Sequence, residues 1–132
     1  MVDLPQRARR AGANIRIAAP GLVTGKFDLV VVDAPCSGSG TWRRTPDAKW
    51  RLGPGDLKQL AETQARILET TAGFVKAGGH LAYMTCSLLR VENEAQAEAF
   101  TKAHPDFQLE LQRNFTPLNA SDGFHLSLLR RR

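Results

Sequence analysis

One segment, residues 27–34 (FDLVVVDA), limits the folds open to this chain more than any other. It is rich in β-branched residues, and its apolar run is strand-sized. A continuous apolar run predicts burial on both faces, the mark of a central strand in a parallel sheet. Parallel strands need long crossovers, usually helical. Residues 54–76 supply one. There Leu57, Leu60, Ala61, Gln64, Ile67, Leu68, Thr71, Phe74 and Val75 recur at helical spacing, and Gly78 and Gly79 are placed to end the helix. Residues 80–85 (HLAYMT) read as the next strand and 92–103 as a second helix. Residues 107–111 and 124–129 read as further strands. Upstream, residues 4–11 read as the end of a helix stopped by Gly12, and 14–18 as a short strand. This alternation predicts an α/β fold with a mostly parallel sheet. No repeat, low-complexity tract or linker divides the 132 residues, so they are expected to form a single domain.

Composition narrows the function classes. No apolar stretch approaches the roughly 20 residues of a membrane helix. Residues 1–10 are polar and basic, with no apolar core of a secretion signal. Two cysteines exclude a disulfide scaffold, and their spacing is not a zinc pattern. A reducing, cytoplasmic setting is expected. The net charge of +5 is compatible with nucleic acid. Arg7, Arg9, Arg10 and Arg16 lie near the start, and Arg130, Arg131 and Arg132 at the end, where solvated faces explain them equally well. A middle cluster of Arg43, Arg44, Lys49 and Arg51 encloses Trp42 and Trp50. Interleaved basic and aromatic residues suit a nucleic-acid backbone with splayed bases.

In open α/β sheets, ligands bind beyond the carboxyl ends of the strands. Two short motifs stand there. Asp33-Ala34-Pro35-Cys36-Ser37-Gly38-Ser39-Gly40 follows one strand, and Thr85-Cys86-Ser87 ends the next. A lone cysteine is ordinarily a small buried hydrophobe. Two cysteines at equivalent strand ends are less readily explained that way, and a right-handed crossover would bring both thiols to one edge of the sheet. A phosphate-cradling cysteine loop is the competing chemistry. It wants Arg six places after Cys36, where Trp42 stands, and it gives Cys86 no role.

At these motifs the chain resembles the Sun/Fmu-type bacterial ribosomal RNA cytosine-C5 methyltransferases. The resemblance rests on FDLVVVDAPCSGSGTWRRTPDAKWR, AGGHLAYMTCSLLRVENE and SDGFHLSLLR, and it covers nearly all of residues 3–132. It implies a Rossmann-like fold, S-adenosylmethionine as cofactor and RNA, of the ribosomal class, as partner. It also implies site residues. Cys86 would be the nucleophile that adds to cytosine C6, and Cys36 would assist proton removal or release of the RNA. Related DNA enzymes place the nucleophile in the Pro-Cys motif, so the opposite assignment stays open. Asp33 would lie between cofactor and base, with a loop-capping carboxylate as the plainer reading. Asp33, Ala34 and Pro35 would line the cofactor. Arg43, Arg44, Lys49 and Arg51 would hold RNA phosphates. The turn at Asp122, Gly123 and Phe124 would support the active-site loop, or simply lead into the last strand.

The resemblance also implies parts that this sequence lacks. The family's cofactor site begins with a Gly-rich loop of the pattern Ala-Pro-Gly-Gly-Lys-Thr, followed by an acidic ribose-binding residue after the second strand. Ala19-Pro20-Gly21 lacks the second Gly and the Lys. Ala18-Ala19-Pro20 stands where an Asp usually follows the third strand. The expectation is an N-terminally truncated catalytic domain without the family's first two strands, inactive alone. The strand order implied by the resemblance, 3-2-1-4-5-7-6, would then leave residues 27–34 as an exposed edge open to self-association. The alternative expectation is a non-catalytic RNA-binding or partner-completing remnant.

Overall fold

The computed structural model describes residues 3–19, 21–118 and 122–132. Its first helix, α1 (Leu4–Arg10), carries Pro5 in its first turn, and Gly12 follows with φ +62°, as the sequence predicts. Strands β1 (Phe27–Asp33) and β2 (Val75–Thr85) are joined through two short helices and one long one. These are a 3-10 turn (Ser39–Thr41), α2 (Ala48–Arg51) and α3 (Pro54–Ala72). A second 3-10 turn (Arg90–Glu92) leads into α4 (Glu94–Ala103). The antiparallel strands β3 (Phe107–Phe115) and β4 (Phe124–Arg131) then end the chain.

The sheet order is β1-β2-β4-β3. It matches the 4-5-7-6 half of the expected order. The sheet is mixed rather than mostly parallel. β1 pairs with β2 in parallel, while β2–β4 and β3–β4 are antiparallel. The parallel pair is the one with a helical crossover, and a strand pair joined by a hairpin is antiparallel.

Three boundaries differ from the sequence reading, each for a long-range reason. The crossover helix stops at Ala72, four residues early. Phe74 is taken by the sheet, where its carbonyl accepts from the Phe27 N–H at 2.7 Å and Val75 pairs with Phe27. Gly78 and Gly79 therefore do not stop a helix. They form the irregularity that shifts the register between Phe27 and Leu29. Gly78 sits at φ +77°, and a Cβ on Gly79 would lie 2.9 Å from the Asp28 carbonyl oxygen. Residues 14–18 form no strand, because the described chain offers them no neighbouring strand to complete a ladder. Ile15 and Ile17 stay exposed.

β1 is also not buried on both faces. Val32 packs inward with Leu68, Leu81 and Tyr83, while Leu29 and Val31 are 55% and 54% exposed on the opposite face. The apolar core lies under α3 and α4, with Ala72, Val75, Phe100, Phe107 and Leu129 completing it. No helix among the described residues is long and apolar enough to cross a membrane.

Candidate active site

The parallel register of β1 and β2 sets Asp33 opposite Met84, and the Ala34 N–H donates to the Met84 carbonyl at 3.0 Å. The two cysteine motifs therefore leave the sheet side by side. Cys36 Sγ and Cys86 Sγ lie 3.3 Å apart, both half-buried and both free thiols. Burial raises the Cys36 thiol to about 12, and the adjacent Cys86 adds to the rise, against a lowering hydrogen bond from the Gly38 backbone. Cys36 accordingly keeps its proton at neutral pH.

Beneath the thiols lies a buried polar network centred on Glu92, which is fully buried. Its Oε1 accepts from the Ser37 backbone N–H at 2.8 Å and from Gln64 Nε2 at 3.1 Å. Its Oε2 accepts from Ser37 Oγ and Ser87 Oγ, each at 2.5 Å. Gln64 reaches in from α3 and also donates to the Pro35 carbonyl at 2.9 Å. Tyr83 Oη donates to the Glu92 carbonyl at 2.6 Å. Asn93 holds the second motif, accepting from Thr85 Oγ1 at 2.6 Å and donating to the Ser87 carbonyl at 2.9 Å. Four donors converge on one carboxylate, so its lone pairs are satisfied without a neighbouring cation. Sequence reasoning misses Glu92 and Asn93 as site residues. Gln64 carries a readable signal, a polar amide within an apolar helical stripe.

A second layer closes the loop after Cys36. The Gly40 N–H donates to the Cys86 carbonyl at 2.9 Å, and the Gly123 N–H donates to the Gly40 carbonyl at 2.8 Å. Ser39 Oγ accepts from the Leu88 N–H at 2.8 Å. The Asp122–Gly123 turn thus sits directly on the cysteine loop, and Asp122 pairs with Arg44 at 2.6 Å.

The other predicted residues are distributed as follows. Asp33 and Pro35 are exposed at the carboxyl end of β1, and Ala34 is buried between them. Arg43 and Arg44 are exposed. Arg51 pairs with Asp47 at 2.5 Å along α2, and Lys49 Nζ lies 4.9 Å above the ring of Trp50. Trp50 is 82% exposed, the most open aromatic side chain of the loop. Part of the basic cluster is therefore matched by carboxylates of this chain.

A family model described as 16S rRNA methyltransferase RsmB/F matches residues 12–130. The chain belongs to this family of RNA methyltransferases. The probable ribosomal RNA small subunit methyltransferase B of Bacillus subtilis (strain 168) is 49% identical over 104 residues, covering 79% of this chain and 22% of that protein. The ribosomal RNA small subunit methyltransferase B of Klebsiella pneumoniae is 40% identical over 116 residues, covering 81% and 27%. The chain thus spans about a quarter of the length of these relatives. Among solved structures, the crystal structure of PH0851 superposes with a TM-score of 0.90 at 32% identity, over 99% of this chain and 34% of that one. The structure of NSun6 from Pyrococcus horikoshii with SFG superposes at 0.81 and 21% identity, over 98% and 38%, and shows the shared Rossmann-like fold.

Proposed function

We propose that this chain carries the thiol half of an S-adenosylmethionine-dependent RNA cytosine-C5 methyltransferase that acts on ribosomal RNA. The observation that carries the reading is the contact of two free thiols, 3.3 Å apart at adjacent strand ends. Cytosine C5 is a poor nucleophile. Addition of the Cys86 thiolate to C6 breaks the C5–C6 π bond and makes C5 an enamine carbon able to take a methyl group. The Asp33 carboxylate stands exposed at the carboxyl end of β1, suited to hydrogen-bonding the cytosine ring as N3 gains its proton. A base, Cys36 or a water molecule, takes the C5 proton; the C6–S bond then breaks, the C5–C6 double bond returns, and Cys86 leaves as thiolate. The Cys36 thiol, 3.3 Å from that of Cys86, is placed to assist either the removal of the C5 proton or, by donating to the departing Cys86 sulfur, the release of the RNA.

When bound, S-adenosylmethionine supplies the methyl group. The exposed residues at the end of β1, Asp33 and Pro35, fit one wall of its site, whereas Ala34, expected to line the cofactor with them, packs into the core and can offer only its backbone. The Gly-rich loop pattern of the family has no counterpart in this sequence. A one-sided pocket makes few contacts while the cofactor still loses its translational and rotational freedom. The purified 132-residue chain is therefore expected to bind S-adenosylmethionine only weakly, in the millimolar range or beyond, and to transfer no methyl group. It is also expected to self-associate through β1, the first strand of the sheet order, whose outward Leu29 and Val31 are exposed. Sedimentation should show Val31→Lys shifting the chain toward monomer. Calorimetry giving micromolar affinity with a stable wild-type monomer would remove this part of the reading.

The basic loop has its own test. With Arg43 and Arg44 both replaced by alanine, RNA binding should weaken and its salt dependence should flatten. The log–log slope should fall by roughly 0.7 for each single-strand phosphate that is no longer neutralised. An unchanged slope in filter-binding titrations would make the loop solvated surface only.

A further inference from the structure

We propose that Glu92 is a positioning residue that sets the spacing between Cys36 and Cys86. The inference deepens the thiol-pair reading above and rests on it. The residue following each cysteine is tied to the same carboxylate. Ser37 is held twice, through its backbone N–H at 2.8 Å and its hydroxyl at 2.5 Å, and Ser87 is held once at 2.5 Å. The two serines are otherwise linked through hydroxyls, directly at 3.4 Å and by way of Ser39, whose Oγ lies 2.9 Å from that of Ser87. Gln64 anchors the carboxylate to α3, so the reference point is the helix rather than either loop. Glu92 is fully buried, with both carboxylate oxygens occupied by donors of this chain, so it acts through the two serines and not on the substrate.

The two oxygens differ in what they require. Oε1 faces an N–H and an amide NH₂, both obligate donors, while Oε2 faces two hydroxyls that can rotate to accept. Glu92→Gln can therefore keep its carbonyl toward Ser37 and Gln64 and turn its NH₂ toward the hydroxyls. Glu92→Ala removes the tie altogether and leaves buried donors without an acceptor.

A spacing readout independent of methylation is capture by phenylarsine oxide. Its arsenic takes two thiols, forming two As–S bonds and releasing one water, and it binds most tightly where both sulfurs are already held within its reach. The wild-type chain should be captured with one arsenical per chain. Glu92→Ala should bind it at least tenfold more weakly, while Glu92→Gln stays within about threefold of wild type. Wild-type capture by a folded Glu92→Ala chain would overturn the proposal. Should Glu92→Ala fail to fold, the Ser37→Ala/Ser87→Ala double variant is read in the same way. Wild-type capture in that double variant overturns the proposal equally, and a tenfold loss supports it. Failure of the wild-type chain itself to be captured would sink the thiol-pair reading and the clamp together, whereas capture by wild type and Glu92→Ala alike sinks only the clamp.

Discussion

Cys86→Ala should abolish both methylation and covalent RNA trapping once the chain is completed with the preceding segment of a family relative. The loss is expected to reach about 10⁴-fold or more, about 5.5 kcal/mol of barrier. Without the C6 adduct, C5 has no enamine electrons to offer, and the neighbouring Cys36 thiol is assigned to a later step than the addition. Cys36→Ala gives a different phenotype. Addition survives, but the departing sulfur is without its neighbouring S–H donor at 3.3 Å, so the RNA–protein adduct accumulates. Denaturing gels with labelled RNA separate the two: no shifted band for Cys86→Ala, an intensified one for Cys36→Ala. Trapping that persists in Cys86→Ala would reverse the roles.

Gly40→Ala should be the most damaging single methyl that can be added near the site. A Cβ there would lie 2.3 Å from the Gly123 carbonyl oxygen and 2.7 Å from its Cα, backbone against backbone with nothing flexible to yield. The same close approach carries the hydrogen bond from Gly123 to Gly40, and Gly40 in turn donates to the Cys86 carbonyl. The expected cost is about 3 kcal/mol, at the upper end for overpacking, or roughly 10 °C in Tm for a domain of this size. Gly55→Ala is the internal contrast. It lies in α3 with nothing within 4 Å of its added methyl, so it should stabilise by about 0.5 kcal/mol. Thermal melts of both variants check the pair. Equal Tm values would mean that the close approach of Gly40 and Gly123 does not hold the cysteine loop.

How much of the sheet is legible in the sequence depends on how local each signal is. The strand at Phe27–Asp33 is visible as a continuous β-branched apolar run and the helix at Pro54–Ala72 as apolar periodicity, both signals carried within a short window. The end of that helix is not visible, because Phe74 is claimed by Phe27, whose N–H lies far back in the chain. The missing strand at residues 14–18 has the same origin. Its pattern is strand-like, but a strand exists only with a hydrogen-bonding neighbour.

Within the site, the residues proposed to do chemistry are legible and those that hold them are not. Asp33, Cys36 and Cys86 occupy strand ends, and the rule that ligands gather there needs only the order of elements. Arg44 looks like one more cation of a basic loop until its pairing with Asp122 places it against the final turn. Glu92 reads only as the first residue of the second helix, yet it is fully buried among the loops that carry the cysteines.

By itself, then, the order of residues determined most of the elements, the parallel crossover and the delivery of two thiols to one edge, because these follow from local pattern and chain direction within short windows. Tertiary structure alone decided the 3.3 Å approach of the thiols, the burial of Glu92 among four donors, the seat of Gly40 on Gly123 and the open face of β1. Those depend on side chains from separate elements meeting at a distance that only packing of the whole domain sets. Burial and hydrogen-bond partnership belong to that packing, and no local pattern encodes them.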